Sequence, residues 1–368
     1  LPSIPPGEQR EVAVPMPAIT PEPGAEYRLD LSFVTRADSA WAPKGHEIAW
    51  EQFDLPVQAP PAPAPAAAGP LGMEDWGRLT YFTGEDFSLT FDRLAGQILT
   101  YSVRGKRVIE RGPVPDFWRA MTDNDYGAWK SVGVAARKDP ARDILAWREA
   151  GPGWRVKEVE VTRLDEGHAR VRASGVLPVG QATYEVIYTI AGNGEVGVEA
   201  AYTPGAGPVA MMPRFGMQLA LAAGLETMTW YGRGPADTYW DRAFERIGVY
   251  SGTVAGQWVE YSRPQENGNK TDVRWVTLTG PDGIGLMARG DPVLGGVAAR
   301  HVTAPDMEAA DYTFQLPRRP QVFLNLDGRQ MGVGGVNSWS PNAWPLEPYR
   351  LPGDKAHRCR FTLAPVLR

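Results

Sequence analysis

The stretch TYEVIYTIAGNGEVGVEAAY, residues 183–202, decides the fold class of this chain. In its first half, large side chains occupy every second position, at Tyr184, Val186, Tyr188 and Ile190. This period of two places them on one face of an extended strand. The tripeptide Gly-Asn-Gly at 192–194 then allows the chain to reverse. The stretch therefore predicts a β-hairpin.

Similar alternation recurs outside the hairpin. FSLTFDRLAGQILTYSV, residues 87–103, predicts two strands around a turn at 92–96, and HRCRFTLAPV, residues 357–366, predicts a last strand. The single cysteine, Cys359, alternates there with two apolar residues, so we expect a buried core thiol without a disulfide. So many strands with so little helix predict a large double β-sandwich rather than a βαβ fold.

Helical signals are scarce. DPARDILAWREAG, residues 139–151, gives the best one, with Asp139 as N-cap, Pro140 at the first helical position and Gly151 just past the end. We therefore expect one helix in this stretch.

A proline- and alanine-rich stretch, residues 57–73, divides the chain into two modules. This composition is typical of a semi-extended linker. Before it, residues 1–56 contain two alternating runs, YRLDLSF at 27–33 and HEIAWEQFDLP at 46–56, and we expect an immunoglobulin-like β-sandwich there. After it, residues 74–368 are expected to form the large sandwich.

The charge balance excludes some partners. The 368 residues carry a formal net charge of -5, whereas nucleic acids and anionic membranes require a basic patch. The four histidines, His46, His168, His301 and His357, lie far apart and show no metal-ligand spacing. We expect neither a metal site nor a cofactor in this chain.

The chain shows no targeting segment. No apolar run approaches the roughly 20 residues that span a bilayer, and no signal peptide is recognisable. The expected location is the cytoplasm. Because the sequence does not begin with Met, we expect a piece of a longer protein.

Three polar or aromatic motifs are candidate loops. DFWRAMTDNDYGAW, residues 116–129, is either a capped turn or a mobile polar loop beside a sugar or metal. WYGRGPADTYWDR, residues 230–242, is a structural corner, or a sugar site in which flat rings stack on a pyranose. YSRPQENGNK, residues 261–270, predicts a turn with positive φ at Gly268.

A fourth motif, GVGGVNSWSP at residues 332–341, has three glycines within four residues and then Trp339 between two serines. Glycine frees the backbone and the closing proline restricts it, so the sequence predicts a shaped loop. Such a loop either packs its indole in a core or holds it out for a ligand.

No catalytic machinery is evident. Glycoside hydrolysis needs two carboxylates at a set separation, but carboxylates are too abundant here to identify a pair. GVGGVN lacks the following Lys-Ser/Thr of a phosphate-binding loop. No G-x-S-x-G nucleophile elbow occurs either.

Taken together, FWRAMTDNDYG, YGRGPADTYWDR, PQENGNK and GVGGVNSWSP resemble, in order and spacing, the C-terminal region of large bacterial β-galactosidases of glycoside hydrolase family 2. AWAPKGHEIAWEQFDLP, residues 40–56, is similar to the end of that family's fourth domain, which is immunoglobulin-like. The resemblance covers nearly the whole chain. It implies the fourth domain and the fifth, a β super-sandwich of the galactose-mutarotase type.

The resemblance implies that the catalytic residues lie in another domain of the family's members. Both catalytic glutamates, and the main magnesium and sodium ligands, lie on a barrel domain that is not part of this sequence. No residue of this chain is therefore expected to be catalytic. The partners implied are a galactoside, the catalytic barrel and further copies in a homo-oligomer.

The resemblance also implies site residues. Trp339 occupies the position of a tryptophan that lines the pocket and stacks on substrate. Gly127 begins a mobile loop that covers the pocket, and the remaining pocket candidates are Asp123, Asn124, Asp125, Asn337 and Ser338. Two positions differ from the family pattern: Val336-Asn337 replaces two aspartates, and Ala128-Trp129 is bulkier than expected.

The expected function follows from this resemblance. The chain is interpreted as the C-terminal part of a β-galactosidase that hydrolyses terminal β-D-galactosides such as lactose, and as inactive alone. The alternatives are a stand-alone carbohydrate-binding or aldose-epimerase-like β-sandwich, and a structural module that makes subunit contacts. An epimerase requires a convergent acid and base, and the histidines show no partner motif.

Overall fold

The computed structural model describes residues 4–61 and 68–367. The chain divides into two compact units between residues 66 and 67, inside the stretch predicted as a linker. Residues 62–67 of that stretch lie outside the described residues. The first strand of the larger unit begins at Gly72, so the last two residues of the predicted linker belong to a strand paired with Thr83 and Phe82.

Within residues 4–61, the smaller unit contains one antiparallel pair, β1 (Arg28–Val34) and β2 (Glu47–Asp54). Both strands were predicted. The immunoglobulin-like sandwich expected for residues 1–56 requires two packed sheets, and the described residues supply one. Phe33, Ile48 and Phe53 on this hairpin are accordingly exposed.

The larger unit is built from strands, as predicted. In chain order they are β3 (Gly72–Trp76), β4 (Leu79–Thr83), β5 (Phe87–Asp92), β6 (Gln97–Val103), β7 (Lys106–Asp116), β8 (Arg155–Arg163), β9 (His168–Val176), β10 (Thr183–Ala191), β11 (Val196–Thr203), β12 (Arg214–Leu221), β13 (Thr227–Gly234), β14 (Arg246–Thr253), β15 (Val273–Thr279), β16 (Gly285–Leu294), β17 (Gly296–Arg300), β18 (Val322–Gln330) and β19 (His357–Val366).

These strands form two antiparallel sheets. One has the order β17-β18-β12-β7-β6-β5-β4-β3, and the other β14-β13-β15-β16-β19-β11-β10-β9-β8. The predicted hairpin at 183–202 is β10 and β11, paired in register from Thr183–Thr203 to Ile190–Val196.

One continuous apolar core lies between the two sheets. Phe91 of β5 meets Tyr188 of β10 edge-on, with ring centroids 5.2 Å apart. Cys359 is buried in this core as predicted, and burial raises the pKa of its thiol to about 12. The all-β fold predicted from the sequence is confirmed as a large two-sheet sandwich.

Helices are short and few in the described part of the chain. They are α1 (Asp123–Ser131), α2 (Val134–Arg137) and α3 (Ala304–Ala309), with 3₁₀ turns at Ile144–Glu149, Ala255–Gln257, Thr313–Gln315, Pro341–Ala343 and Glu347–Tyr349.

The helix predicted at 139–151 was wrong in type and extent. It is a 3₁₀ turn that begins at Ile144, and Asp143 rather than Asp139 caps it through the Leu145 N–H. Asp139 instead closes a separate turn, because its carboxylate accepts from the Ala141 N–H. Burial of Trp147 fixes the conformation here more strongly than the local helix signals do.

Candidate functional site

The segment 261–270 lies at the centre of the candidate site. Its polar side chains are buried, namely Gln265, Glu266, Asn267, Asn269 and Lys270. The predicted turn is present, with a φ of 71° at Gly268. Buried polar groups need hydrogen-bond partners, so a segment of this kind must be held by its neighbours. Two of the other motifs supply some of those partners, through Asp123 of the first and Thr238 of the second.

The first of these motifs is 116–129. The structure places its residues Asp123, Asn124 and Asp125 at the start of a helix rather than in a turn or loop. Thr122 Oγ1 accepts from the Asp125 N–H (3.2 Å), and the Asp125 carboxylate accepts from the Thr122 N–H (3.0 Å). This capping box begins α1. The sequence did contain its signal, a threonine followed three residues later by an aspartate.

The exposed end of α1 is tied to the central segment. The Asp123 N–H donates to Gln265 Oε1 (3.0 Å), and Gln265 Nε2 donates back to the Asp123 carboxylate (3.0 Å). The N-terminus of α1 is therefore fixed against the turn that contains Gly268.

Arg119 connects α1 to the glycine-rich loop. Its buried guanidinium donates to the Asp125 carboxylate at 3.1 and 3.2 Å. It also donates to the carbonyl oxygens of Met331 (2.6 Å) and Gly332 (2.8 Å). One side chain thus sets the distance between the helix and the start of the loop.

The same two elements also touch directly through Gly127. A Cβ atom added at Gly127 would lie 1.8 Å from the carbonyl oxygen of Ser338. Two backbones approach this closely only where no side chain intervenes. The structure therefore brings together two residues, Gly127 and Ser338, that are 211 positions apart in the chain.

The loop that carries Trp339 is held in shape by Asn337. The Asn337 Oδ1 atom accepts from the Trp339 N–H (3.1 Å), the Ser340 N–H (3.1 Å) and the Ser340 hydroxyl (3.0 Å). The Trp339 side chain itself is 77% exposed. The indole therefore projects from a backbone that its neighbours fix, and it is not part of the apolar core.

Asp241 fixes the other end of the loop. Its carboxylate accepts from the Val333 N–H (3.0 Å) and the Gly334 N–H (2.8 Å). A Cβ atom at Gly332 would lie 2.4 Å from this carboxylate, so the close approach requires glycine at that position. The motif at 230–242 thus supports the Trp339 loop through its second-last residue.

The rest of the 230–242 motif is a structural corner. Lys270 Nζ donates to the carbonyl oxygen of Pro235 (2.9 Å) and lies 5.0 Å from the centre of the Trp230 ring. Burial lowers the pKa of Lys270 to about 8. Trp230 and Tyr239 are buried, so neither ring can stack on a ligand at the surface.

A buried ionic cluster includes one residue from each of two motifs, Asp116 of 116–129 and Glu266 of 261–270. Arg214 pairs with Asp116 (3.1 Å), Glu266 (3.3 Å) and Asp327 (3.0 Å), and Arg300 pairs with Glu266. Burial alone would raise the pKa of Glu266, but Arg300 and Arg214 outweigh it and hold that pKa below its usual value. Its ion pairs join β7, β12, β17 and β18 to the segment 261–270.

Within the cluster, the pKa of Asp327 is shifted in the opposite direction to that of Glu266. Burial raises the pKa of Asp327 to about 7, although Arg214 opposes the change. Its Oδ1 atom is buried without a hydrogen-bond partner. Because three carboxylates share Arg214, the pairing does not fully compensate the charge of Asp327.

Three of the four histidines make separate local contacts. Both ring nitrogens of His301 are used, one against the Gln321 carbonyl oxygen (3.0 Å) and one against the Glu226 carboxylate (3.0 Å). His168 contacts Asp165, and His357 contacts the carbonyl oxygen of Pro352. Among the described residues, no group of His, Cys, Asp or Glu could hold a metal ion. No helix within 4–61 or 68–367 is long and apolar enough to cross a membrane.

Family comparisons match both modules. Residues 83–363 match the family described as β-galactosidase small chain, and residues 1–56 match the one described as β-galactosidase, domain 4. The chain belongs to the β-galactosidase small-chain family. The resemblance inferred from the four motifs is thereby confirmed.

Individual relatives agree with this assignment. The chain is 34% identical over 342 residues to a β-galactosidase of Priestia megaterium, covering 93% of this chain and 32% of the relative. It is 31% identical over 366 residues to a β-galactosidase of Lactobacillus delbrueckii subsp. bulgaricus, covering 98% and 34%. The chain thus spans about a third of the length of these curated relatives.

A solved structure shows a more distant likeness. The galactose 1-epimerase of Lactobacillus acidophilus aligns with a TM-score of 0.41 and 10% identity, covering 80% of this chain and 98% of the epimerase. A likeness at this distance supports no inference about activity.

In this member of the family, the predicted site residues fall into two groups. Trp339 and Ser338 are exposed on the loop, and Asp123 is exposed at the start of α1. Asp125 is buried and fully used inside the protein, so it supports the site and cannot line a pocket. Asn337 shapes the loop backbone, and Gly127 lies against it.

Sequence reasoning missed the residues that join the motifs. They are Asp116, Arg119, Arg214, Arg300 and Asp327. They lie on β7, in the segment after it, and on β12, β17 and β18, so no local spacing links all of them. Their only sequence signal is a charged residue within an otherwise apolar strand, as in RFGMQLAL and VFLNLDGRQ.

Proposed function

We propose that this chain is the C-terminal part of a β-galactosidase that hydrolyses terminal β-D-galactosides such as lactose. Membership of the β-galactosidase small-chain family supports this proposal. The observation that carries it furthest is the exposed Trp339 on a loop that two other motifs hold in place, through Arg119 and Asp241.

Trp339 serves as a stacking platform for the sugar ring. A pyranose on an indole gains about 0.5–1.5 kcal/mol beyond the area it buries, if it resembles an aromatic pair. Such a contribution biases the orientation of a ligand but does not hold a monosaccharide alone. The remainder of the pocket is therefore supplied by another domain of the parent enzyme.

The catalytic step takes place outside this chain. The family resemblance assigns both catalytic glutamates, and the magnesium and sodium ligands, to a barrel domain. This chain then contributes the Trp339 loop, the α1 segment that contains Asp123, Asn124 and Gly127, and contacts for assembly. Exposed aromatic residues such as Phe314 (84% exposed) and Phe244 (87% exposed) support an assembly role.

Two measurements on the isolated chain test this function. Hydrolysis of a chromogenic β-galactoside should not exceed the blank, since no catalytic pair is proposed here. Tryptophan fluorescence should respond weakly to lactose, and Trp339→Ala should abolish the response. The matched control is Trp41→Ala, which removes another exposed indole (69% exposed) from the smaller unit.

The outcomes separate the alternatives. Turnover by the chain alone would contradict the missing-barrel proposal. A lactose response that survives in Trp339→Ala, or that is lost equally in Trp41→Ala, would contradict the assignment of Trp339.

A further inference from the structure

A cavity of about 440 Å³ lies away from the Trp339 loop. Its lining comes from β7, β8 and β12, from the turn between β5 and β6, from the 3₁₀ turn Ile144–Glu149 and the residues between it and β8, and from the start of α3. Neither Trp339 nor any residue of the loop 332–341 contributes to it. The volume is within the range of small-molecule sites.

The side chains of this cavity that remain available to a charged ligand are cationic. Arg111 is exposed, and among the described residues no hydrogen bond or ion pair reaches its side chain. Arg148 pairs with Glu308 through Nη2 (3.1 Å), and its side chain is still 37% exposed. Both arginines line the cavity, so several charged N–H donors remain available there.

The one carboxylate in the lining is already used. Asp116 accepts from the Trp118 N–H (3.1 Å) through Oδ1. Its Oδ2 atom accepts from Arg214 (3.1 Å) and from Asn325 (2.6 Å). A ligand that enters the cavity therefore meets free cationic donors and no free anionic acceptor.

The apolar part of the lining indicates that the ligand also has an apolar face. Trp154, Pro115 and Pro152 form flat apolar surface, and the amide of Gln218 lies in the same cavity. A bare inorganic anion would leave this surface uncovered. A purely apolar ligand would leave the arginine donors unpaired, which is costly.

We propose that this cavity binds a hexose-sized anion. Its carboxylate or phosphate group pairs with Arg111 and Arg148, its ring lies on the apolar surface at Trp154, and a hydroxyl reaches Gln218. Arginine suits both kinds of anionic group because its fork of N–H donors matches their oxygen atoms. The proposal is independent of the proposed function, since the two sites share no lining residue.

Isothermal titration of the chain with three sugars tests the proposal. Galacturonate carries the carboxylate, galactose 6-phosphate carries the phosphate, and galactose carries neither. At least one anionic sugar should bind with a dissociation constant on the order of 1 mM. Galactose should bind at least tenfold more weakly, because it lacks the group that forms charge-assisted hydrogen bonds with the arginines. Which anion binds identifies the group that the arginines recognise.

Matched variants locate the binding. Arg111→Gln should weaken binding of the anionic sugar by about tenfold or more, and Arg111→Lys by less. Arg107→Gln is the control, because Arg107 is an exposed arginine on the same strand that does not line the cavity. Arg107→Gln should change the dissociation constant only slightly, because a charge at that distance from the ligand is largely screened by salt.

Three results would overturn the proposal. They are no binding of either anionic sugar at concentrations about ten times the expected constant, equal binding of galactose, and equal loss in Arg111→Gln and Arg107→Gln. Circular dichroism of each variant confirms that the fold is retained, which Arg111 as an exposed residue should permit.

Discussion

At the scale of single residues, Gly127 shows how a backbone contact can depend on one missing side chain. A Cβ atom there would lie 1.8 Å from the carbonyl oxygen of Ser338. Gly127→Ala should therefore destabilise the chain by about 1–3 kcal/mol, because the two backbones must separate. The free energy of unfolding in urea measures this loss.

Gly133→Ala is the control for this change. No atom lies within 4 Å of a Cβ at Gly133, and its φ is not positive. Its unfolding free energy should stay within about 1 kcal/mol of the wild-type value, with a tendency to increase. Equal destabilisation by both substitutions would contradict the steric explanation.

Asp327 gives a second prediction at this scale, in the dependence of stability on pH. Burial raises its pKa in the folded state from 3.8 to about 7. The folded state therefore binds the proton more tightly than the unfolded state does. The stability that this group contributes is fully present below about pH 4 and is lost as the pH rises through 7.

Asp327→Asn removes this titration and keeps the shape of the side chain. The variant should gain stability relative to wild type between pH 5 and pH 8, by at least about 1 kcal/mol. Urea unfolding of both proteins at the two pH values measures the difference, in which other titrating groups largely cancel. A constant difference across the range would show that the pKa of Asp327 is not raised.

At the scale of elements, α1 depends on its capping box. Thr122→Ala removes the side chain that accepts from the Asp125 N–H, and should cost about 1 kcal/mol of unfolding free energy. Thr122→Ser retains the hydroxyl and should recover most of it. If serine were as destabilising as alanine, the methyl group of Thr122 rather than its hydroxyl would be the stabilising feature.

The elements also show which parts of the fold a sequence can predict. The hairpin at 183–202 was predictable because a period of two is a local property that one buried face imposes. The 3₁₀ turn at Ile144–Glu149 was not, because burial of Trp147 outweighed the local helix signals. Tertiary packing decides such short elements.

The residues of the candidate site also differ in how well the sequence predicts them. Trp339 could be selected from its loop sequence, since glycine and proline mark shaped loops. Arg119 could not, because its partners Asp125 and Gly332 lie on different elements and only the folded chain brings them together. Residues that hold a site in position are therefore harder to predict than residues that it exposes.

At the scale of the whole molecule, the larger unit carries its own core. Among the described residues, the first member of that core is Leu71, whose N–H donates to the Glu166 carbonyl oxygen (3.0 Å). Gly69 also packs closely, since a Cβ at Gly192 would lie 2.4 Å from its carbonyl oxygen. Among the described residues, the apolar core of the sandwich thus begins at Leu71.

A chain that begins at Ala68 should therefore unfold cooperatively, with a thermal midpoint within about 2 °C of the full chain, because it loses no member of the core. The control begins at Gly77 and so lacks Leu71 and the whole of β3. Its midpoint should fall by several degrees, since the loss of one buried leucine alone costs about 2 kcal/mol or more. Differential scanning calorimetry compares the three chains. A large drop already in the chain from Ala68 would show that the smaller unit stabilises the sandwich, and that the two units cannot be treated as separate folding units.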